Sequence, residues 1–407
     1  MQLLPGFRDF YPADCARRNY ILETWRAVAR RYGFVEYDGP VLEPLELYQK
    51  KSGNEIVGQL FNFEDKGQRH VSLRPEMTPT VARMVAARER DFRKPIKWFC
   101  VPQFFRYEKQ QRGRGREFYQ FNADIFGETS PAADAELIAL AVDTLRAFGF
   151  GPADFVVRLS SRTAWAEFFS GNGGKAEDET AFFQIVDKAE RMPVEKTEAL
   201  LAPLGFSAEK VLAFMRSRQP SADLAPILAD LQARGLADYA EVDYAIVRGL
   251  AYYTGVVFEV FDKGKNERAL AGGGRYDKLL NLISDGKSNL PALGFAMGDV
   301  VLGNLIDDTP AAKTQMSAAL AEAAPVELFV IVANEERRPE ALQVVQQLRD
   351  AGRRVDYALT PAKIGKQFQI AEQLGAGEAI IVGDEWPQVK VKNLSTREEK
   401  ITSPSEL

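Results

Sequence analysis

Residues 96–126 constrain the fold most, because they form the pattern of one long antiparallel hairpin. Two runs rich in aromatic and β-branched residues, IKWFCVPQFFRYE and REFYQFNADIFG, flank the polar, glycine-containing loop KQQRGRG. Side chains alternate between the faces of a strand. In the second run, one face therefore carries Phe118, Gln120, Asn122 and Asp124, and the other carries Tyr119, Phe121, Ala123 and Ile125. The first, polar face is expected to line a binding site.

The loop of this hairpin is strongly basic. Within eleven positions it holds Arg106, Lys109, Arg112, Arg114 and Arg116. So many cations repel one another unless anions lie among them. The loop is either a solvated surface turn or a phosphate-binding element. Because the flanking strands place Arg106 and Gln120 on polar sheet faces, we favour phosphate binding.

Three other segments could carry chemistry, although each has an ordinary structural explanation. RGLAYYTGVVFEV places Arg248 before Tyr252 and Tyr253 in an apolar strand, where buried tyrosines usually serve the core. AGGGRYD is typical of a glycine-rich turn and leads to Arg275. LRPEMTPTVAR offers Glu76 and Thr78 at a helix start, the pattern of a helix cap with a first-turn carboxylate. None of the three identifies a function alone.

The length of 407 residues predicts two or three domains. Asp14 is expected to cap a first helix that ends at Gly33. We expect a body from residues 1–159 and 241–308, an inserted helical subdomain at 160–240 and a linker at 309–324. Alternating strands and helices in 325–407 predict a small parallel α/β domain, and its sequence lacks the usual glycine-rich nucleotide motifs.

Composition excludes several function classes. A single histidine, His70, rules out two-histidine zinc sites, and we interpret it as a polar residue at a strand start instead of the base of a serine or cysteine triad. The two cysteines, Cys15 and Cys100, form no C-x-x-C pair, so no metal site is expected. A net charge of −5 argues against a surface that binds nucleic acid throughout. Because no apolar run is long enough for a membrane span and no signal peptide is evident, we expect a cytoplasmic protein.

Taken together and in this order, these segments resemble the histidyl-tRNA synthetases, a family of class II aminoacyl-tRNA synthetases. The likeness covers LLPGFRDFYP, YGFVEYDGPVLEP, LRPEMT, FRYEKQQRGRGREFYQF as motif 2, and RGLAYYTG with ALAGGGRYDKL as two histidine-specific signatures. It implies an α+β fold, in which a mostly antiparallel catalytic sheet with a helical insertion precedes a C-terminal α/β anticodon-binding domain. It also implies a homodimer formed around Pro40.

The resemblance implies a histidine–tRNA ligase that uses ATP with Mg²⁺, L-histidine and tRNA-His. Its catalytic residues would be Arg106 and Arg248, and ATP would contact Arg106, Glu108, Arg114 and Phe118. Histidine would be bound by Glu76, Thr78, Gln120, Asp124, Tyr252 and Tyr253. The acceptor end of the tRNA would meet Lys109, Gln111 and Arg116.

The sequence departs from the family pattern at several positions. Motif 3 is usually G-F-A-I-G-x-E-R, but GFAMGDVVL has Val301 in place of the arginine that clamps ATP. Ala251 and Gln110 replace a usual Asp and a usual Pro. We expect Arg114 or Arg275 to supply the missing charge.

The alternative functions are a non-catalytic, synthetase-like regulatory subunit of ATP phosphoribosyltransferase and a structural protein built on an inactive synthetase body. Retention of the motif 2 residues and of the C-terminal domain favours the enzyme.

Overall fold

The computed structural model describes residues 2–52, 54–107, 115–247, 252–264 and 268–407. They form two compact units, Met1–Gln315 and Met316–Leu407. The strands of the first unit are β1 (Val35–Glu36), β2 (Leu42–Pro44), β3 (Asn62–Glu64), β4 (His70–Leu73), β5 (Ile96–Cys100), β6 (Gln103–Phe105), β7 (Glu117–Phe126), β8 (Phe155–Ser161), β9 (Ala240–Val242), β10 (Val256–Asp262), β11 (Ala271–Arg275) and β12 (Ala292–Gly298). Its helices are α1 (Pro12–Arg31), α2 (Leu45–Ser52), α3 (Thr78–Arg88), α4 (Pro131–Arg146), α5 (Arg162–Gly171), α6 (Glu179–Ala189), α7 (Val194–Leu201), α8 (Ala208–Met215), α9 (Leu224–Ala233), α10 (Leu279–Ile283) and α11 (Asp299–Asp308).

A large, mostly antiparallel sheet forms the body of this unit, as predicted. Its strand order is β1-β5-β7-β12-β11-β10-β8-β9, and β6 adds to β7. Among the described residues, the two outermost strand pairs of this sheet, β1 with β5 and β8 with β9, are parallel. The other pairings of the sheet are antiparallel. The predicted hairpin is confirmed, because β5 and β6 both pair antiparallel with β7. The same unit also contains a smaller, three-stranded sheet with the order β2-β4-β3.

The apolar face of β7 packs against the core. Phe121 is fully buried and its ring lies 6.0 Å from that of Trp25 on α1 and 5.4 Å from that of Phe295 on β12. Burying an aromatic side chain of this size contributes about 1.5–3 kcal/mol. The alternation predicted for this strand is therefore correct, and it leaves the polar face on the side away from α1.

Helix α1 begins differently from the prediction. Pro12 occupies its first turn, where the missing N–H costs nothing. Tyr11 is the N-cap residue and makes no side-chain cap hydrogen bond, so the expected cap by Asp14 is wrong; Asp14 lies in the first turn instead. The predicted end is correct, because Gly33 follows the helix with φ +72°, a conformation that glycine adopts readily.

Helices α5 to α9 lie between β8 and β9 in the chain and bury an aromatic cluster of their own. Trp165 and Phe182 are completely buried there, and the Phe168 ring lies 4.7 Å from that of Phe214. Since β8 extends to Ser161, the helical segment begins two residues after the predicted boundary at 160. An inserted subdomain over 160–240 remains a prediction.

The second unit contains β13 (Leu328–Val332), β14 (Val355–Tyr357), β15 (Glu378–Val382), β16 (Val389–Asn393), β17 (Glu399–Thr402), α13 (Arg338–Asp350) and α14 (Ile364–Gln373). Strands β14, β13 and β15 are parallel, but β16 and β17 are antiparallel. The α/β class is confirmed, whereas the expected all-parallel sheet is wrong. Sequence analysis missed β17, because its residues, EKIT, are half charged and lie exposed at the sheet edge.

The predicted linker, 309–324, contains a helix, α12 (Pro310–Glu322). The division between the two units falls within it, after Gln315. Its alanine-rich composition favours helix as readily as an irregular linker, and its linking role stays a prediction. No helix in the described ranges has both the length and the apolar character to cross a membrane.

Candidate active site

A cavity of about 750 Å³ opens on the polar face of the sheet in the first unit. It collects every described residue that was predicted for catalysis, for ATP and for histidine: Glu76, Thr78, Arg106, Phe118, Gln120, Asp124, Tyr252 and Tyr253. Arg116 is not among the residues that line it. Glu108, Lys109, Gln111, Arg114 and Arg248 lie outside the described residues. The roles assigned to all of these side chains remain predictions.

The floor of the cavity follows from strand register. Asp124 on β7 pairs with Gly294 on β12, which pairs with Gly274 on β11. A Cβ on Gly294 would lie 2.1 Å from Asp124 Oδ1 and 2.9 Å from the hydroxyl of Tyr276. The glycines of AGGGRYD lie in strand β11, which pairs with β12, so their assignment to a turn is wrong.

Asp124 is the most perturbed acid of the cavity floor. It is 5% exposed and accepts a hydrogen bond from the hydroxyl of Tyr276. Burial raises the pKa of Asp124 to about 7, although the Tyr276 hydrogen bond and the charge of Lys51 oppose the shift. Near neutral pH this side chain is thus poised between carboxylate and carboxylic acid, and as a carboxylate it accepts an N–H from a ligand.

Two tyrosines cover the same end of the cavity. The rings of Tyr252 and Tyr253 are 4.3 Å apart. They precede β10 instead of lying within a strand, so the predicted strand placement is wrong. Thr254 fixes the segment, because its N–H donates to Arg275 O at 2.8 Å. Burial raises the pKa of both phenols, which therefore remain protonated hydrogen-bond donors at neutral pH.

Sequence analysis missed Lys51, a buried lysine at the edge of the cavity. Its side chain is 4% exposed, and its Nζ donates to Glu76 Oε2 at 2.5 Å and lies 4.2 Å from the centre of the Tyr252 ring. Helix α3 begins at Thr78 and has no acidic residue in its first turn. Glu76 precedes the helix, so the predicted first-turn carboxylate is wrong. A signal was present: Lys51 follows the buried Leu47 by four residues on α2, and thus shares its face.

Replacement of Lys51 by Met is expected to lower the free energy of unfolding by roughly 3 kcal/mol, because it leaves the carboxylate of Glu76 unpaired in a largely buried site. The adjacent Lys50 provides a matched control, since it pairs with Asp285 at the surface. Chemical denaturation should place Lys50→Met near the wild type. Equal effects of the two substitutions would contradict this account of Lys51.

Arg106 is held at the cavity wall by its own contacts. Its Nε donates to Pro75 O at 2.9 Å, and its guanidinium carbon lies 5.1 Å from the centre of the Phe118 ring. Its backbone N–H donates to Arg116 O at 2.9 Å, which closes the base of the hairpin. The side chain therefore presents a positioned cation beside an aromatic face that can stack on a planar ligand.

The opposite end of the cavity is bounded by the end of β12 and the start of α11. Gly298, Asp299 and Val301 line it there. Asp299 accepts hydrogen bonds at 3.0 Å from Tyr119 N–H and from Arg8, and burial raises its pKa. Within the described ranges, no three His, Cys, Asp or Glu residues are grouped so that they could hold a metal ion.

Arg275 does not supply the charge that is missing at Val301, and this expectation is wrong. It lies one residue after Gly274 on β11, so its side chain is on the face opposite the cavity. There it pairs with Asp134 of α4 and donates to Glu128 O at 2.8 Å. Tyr276, the next residue, returns to the cavity and was also missed.

Comparison with known proteins identifies close relatives along the whole chain. Residues 6–299 match the family model for histidyl-tRNA synthetase, and residues 327–407 match the model for an anticodon binding domain. The histidine–tRNA ligase of Opitutus terrae is 44% identical, over 98% of this chain and 95% of that protein. That of Leptospira biflexa is 37% identical, with the same coverage. The crystal structure of a histidyl-tRNA synthetase from Nostoc covers 100% of this chain and 98% of its own, with a TM-score of 0.79 at 23% identity, and so supports the fold.

Proposed function

The chain belongs to the histidyl-tRNA synthetase family of aminoacyl-tRNA ligases, and we propose that its cavity joins L-histidine to AMP. Histidine and ATP would give histidyl-adenylate and pyrophosphate, and histidine would then pass to the 3′-terminal adenosine of tRNA-His. The observation that carries this proposal is one cavity holding a buried acid, three phenols and a positioned guanidinium: Asp124, Tyr252, Tyr253, Tyr276 and Arg106.

Recognition of the imidazole ring would rest on complementary hydrogen bonding. A neutral imidazole presents one N–H donor and one nitrogen acceptor. The carboxylate of Asp124 would accept the N–H, and the hydroxyl of Tyr253 would donate to the other nitrogen, with Tyr252 packed beside the ring. Any amino acid without these two nitrogens would leave a buried acid and a phenol unpaired, which penalises it strongly.

Glu76, Thr78 and Gln120 would bind the α-ammonium group of histidine. They line the cavity beside Asp124 and Tyr252. Lys51 already pairs with Oε2 of Glu76. The α-ammonium group of histidine would therefore share the Glu76 carboxylate with the side chain of Lys51. Lys51 would thus position Glu76 for the substrate.

Adenylate formation would require no covalent enzyme intermediate. A carboxylate oxygen of histidine would attack the α-phosphorus, and the bond from that phosphorus to the bridging oxygen would break as pyrophosphate leaves. Arg106 would stabilise the negative charge that grows on the α-phosphate, and Phe118 would stack on the adenine. Family resemblance assigns a second phosphate contact to Arg248, an adenine contact to Glu108 and an outer phosphate contact to Arg114.

Magnesium would enter with ATP. Mg²⁺ is usually held by phosphate oxygens, water and one or two carboxylates, which suits a cavity without a cage of acids among the described residues. Glu259, 5% exposed on the cavity floor, would supply a carboxylate ligand. The ion would offset phosphate charge when bound.

The tRNA would be bound by both units. Lys109, Gln111 and Arg116 would meet its acceptor end through phosphates and exposed bases. The second unit would read the anticodon, which its match to the anticodon-binding family supports. An enzyme that uses these partners would act in the cytoplasm. A regulatory subunit of ATP phosphoribosyltransferase would need neither an anticodon domain nor Arg106 and Phe118.

The direct test is ATP–pyrophosphate exchange measured separately with each of the twenty amino acids. We expect exchange with histidine and background rates with the others. Exchange with none of them would exclude the ligase and leave the regulatory subunit, whereas exchange with a different amino acid would refute only the assigned substrate.

A homodimer is also proposed, formed through the segment around Pro40. Strand β1 lies at the edge of the main sheet, and residues 35–63 include these exposed apolar side chains: Val35 (63%), Val41 (46%), Leu42 (39%) and Phe63 (49%). Leu42 and Phe63 share one face of the β2-β4-β3 sheet. Exposed apolar side chains gathered in this way mark an interaction surface.

Leu42→Glu is expected to shift the protein from dimer to monomer in sedimentation velocity, because it buries an unpaired charge at the interface. Ile401→Glu is the matched control: Ile401 is 61% exposed on β17, at the sheet edge of the second unit. We expect that variant to sediment as the wild type does. A monomeric wild type, or a Leu42→Glu variant that stays dimeric, would refute this interface.

A further inference from the structure

Among the described residues, the outer phosphates of ATP lack the arginine that the family pattern supplies from motif 3. At the end of the cavity formed by the start of α11, Val301 lines the wall where the family pattern has an arginine. ATP carries several negative charges on its β- and γ-phosphates, and charge-assisted hydrogen bonds from guanidinium groups are the usual way to hold them. Arg275 is directed to Asp134 on the other face. Another cation should therefore reach this end.

Strand register identifies a cation at this end of the cavity. Ala271, the first residue of β11, pairs with Met297 of β12, so the chain just before β11 lies at the end of the sheet where β12 passes into α11. Leu270 N–H donates to Val260 O at 2.8 Å, which fixes the approach to the strand. Arg268, two residues earlier, lines the same cavity as Gly298 and Val301.

We propose that Arg268 binds the outer phosphates of ATP and replaces the motif 3 arginine. This inference rests on the proposed function, because it requires ATP in the cavity with its α-phosphate near Arg106. A planar guanidinium donates two parallel hydrogen bonds to phosphate oxygens and does not lose its charge at any physiological pH. Supplying it from the segment just before β11 instead of from α11 preserves that chemistry and changes only the element that delivers it.

Arg191 is the competing candidate, since it also lines the cavity. It lies two residues after α6, on the helical segment between β8 and β9, and its side chain is exposed, as that of Arg268 also is. No strand pairing places Arg191 at the α11 end. Strand register at that end thus favours Arg268. The two assignments differ in which alanine substitution should raise KM for ATP.

Michaelis constants in histidine-dependent pyrophosphate exchange distinguish phosphate binding by Arg268 from phosphate binding by Arg191. Arg268→Ala is expected to raise KM for ATP by roughly ten- to a hundredfold, with KM for histidine within about twofold of the wild type. Lys263→Ala is the matched control. Like Arg268, Lys263 lies between β10 and β11, but its Nζ donates to Pro152 O at 2.7 Å outside the cavity. It should leave KM for ATP unchanged.

A rescue variant excludes a merely structural effect. In the Arg268→Ala background, Val301→Arg is expected to restore much of the ATP affinity, because it returns a guanidinium to the phosphates from α11. An unchanged KM for ATP in Arg268→Ala, a rise in Arg191→Ala alone, or a failed rescue would overturn the assignment. A wild type without any amino acid-dependent exchange would instead refute the proposed function.

Discussion

Replacing Arg106 with alanine is expected to lower the kcat of histidine-dependent pyrophosphate exchange by roughly 10²- to 10³-fold. The side chain is anchored by its Nε to Pro75 O and lies over Phe118, so the rest of its guanidinium can be directed into the cavity. A cation fixed before the reaction stabilises charge that grows on the α-phosphate and needs no reorganisation. Its removal should therefore affect the transition state more than ground-state binding.

A matched substitution shows whether this loss is specific. Arg88 also lies over a phenyl ring, 6.0 Å from the centre of Phe92, but its side chain is 70% exposed and lies outside the cavity. Arg88→Ala should retain wild-type exchange. Arg106→Lys is expected to fall between the two, because an ammonium keeps the charge but loses the planar donor pair. Wild-type kcat in Arg106→Ala would refute its catalytic role.

Asp124→Asn is expected to lower kcat/KM for histidine by roughly a hundredfold and to leave KM for ATP unchanged. The substitution preserves the size of the side chain but replaces an ionisable acceptor by a neutral amide, whose N–H₂ group would face the imidazole N–H. Loss of a charge-assisted hydrogen bond in a buried pocket, together with an unpaired donor, accounts for that magnitude. Exchange kinetics with varied histidine measure it directly.

The same variant should change how stability depends on pH. Burial raises the folded-state pKa of Asp124 to about 7, above the value near 4 expected in the unfolded chain. Between these values the folded state holds a proton that the unfolded state has released. The wild type therefore loses stability as pH rises from about 4 to about 7, by up to roughly 4 kcal/mol in total, whereas Asp124→Asn does not. The melting temperature of the wild type relative to the variant should fall between pH 5 and pH 8.

Asp143→Asn is the matched control for both measurements. Asp143 accepts a hydrogen bond from Tyr32 at 2.6 Å, so it reproduces the tyrosine–aspartate pair outside the cavity. It should leave kcat/KM for histidine near the wild-type value. If Asp124→Asn had normal histidine kinetics, or if its melting temperature followed that of the wild type at every pH, the assigned role and ionisation of Asp124 would be wrong.

Local sequence patterns were sufficient for the elements that have a clear period. The alternation in REFYQFNADIF placed Gln120 and Asp124 on one strand face, and the cavity lies on that face. Such patterns report which side of an element is buried, because burial acts on every side chain along it.

Contacts between distant segments could not be predicted in this way. Tyr276 donates to Asp124 across 152 positions, and Lys51 reaches Glu76 across 25. The glycines of AGGGRYD resembled a turn because sequence alone does not reveal that Gly294 and Asp124 lie beside them. Arg275 was misassigned for the same reason, since strand alternation excludes it only once β11 is recognised as a strand.

A crystal structure of the protein with histidine and a non-hydrolysable ATP analogue tests the central claim most directly. We predict that the imidazole ring lies between Asp124 and Tyr253, with one nitrogen within hydrogen-bond distance of each. The α-phosphate should contact Arg106, and the histidine carboxylate should lie on the side of that phosphorus opposite the bridging oxygen. An imidazole bound away from Asp124, or an α-phosphate beyond the reach of Arg106, would contradict the account.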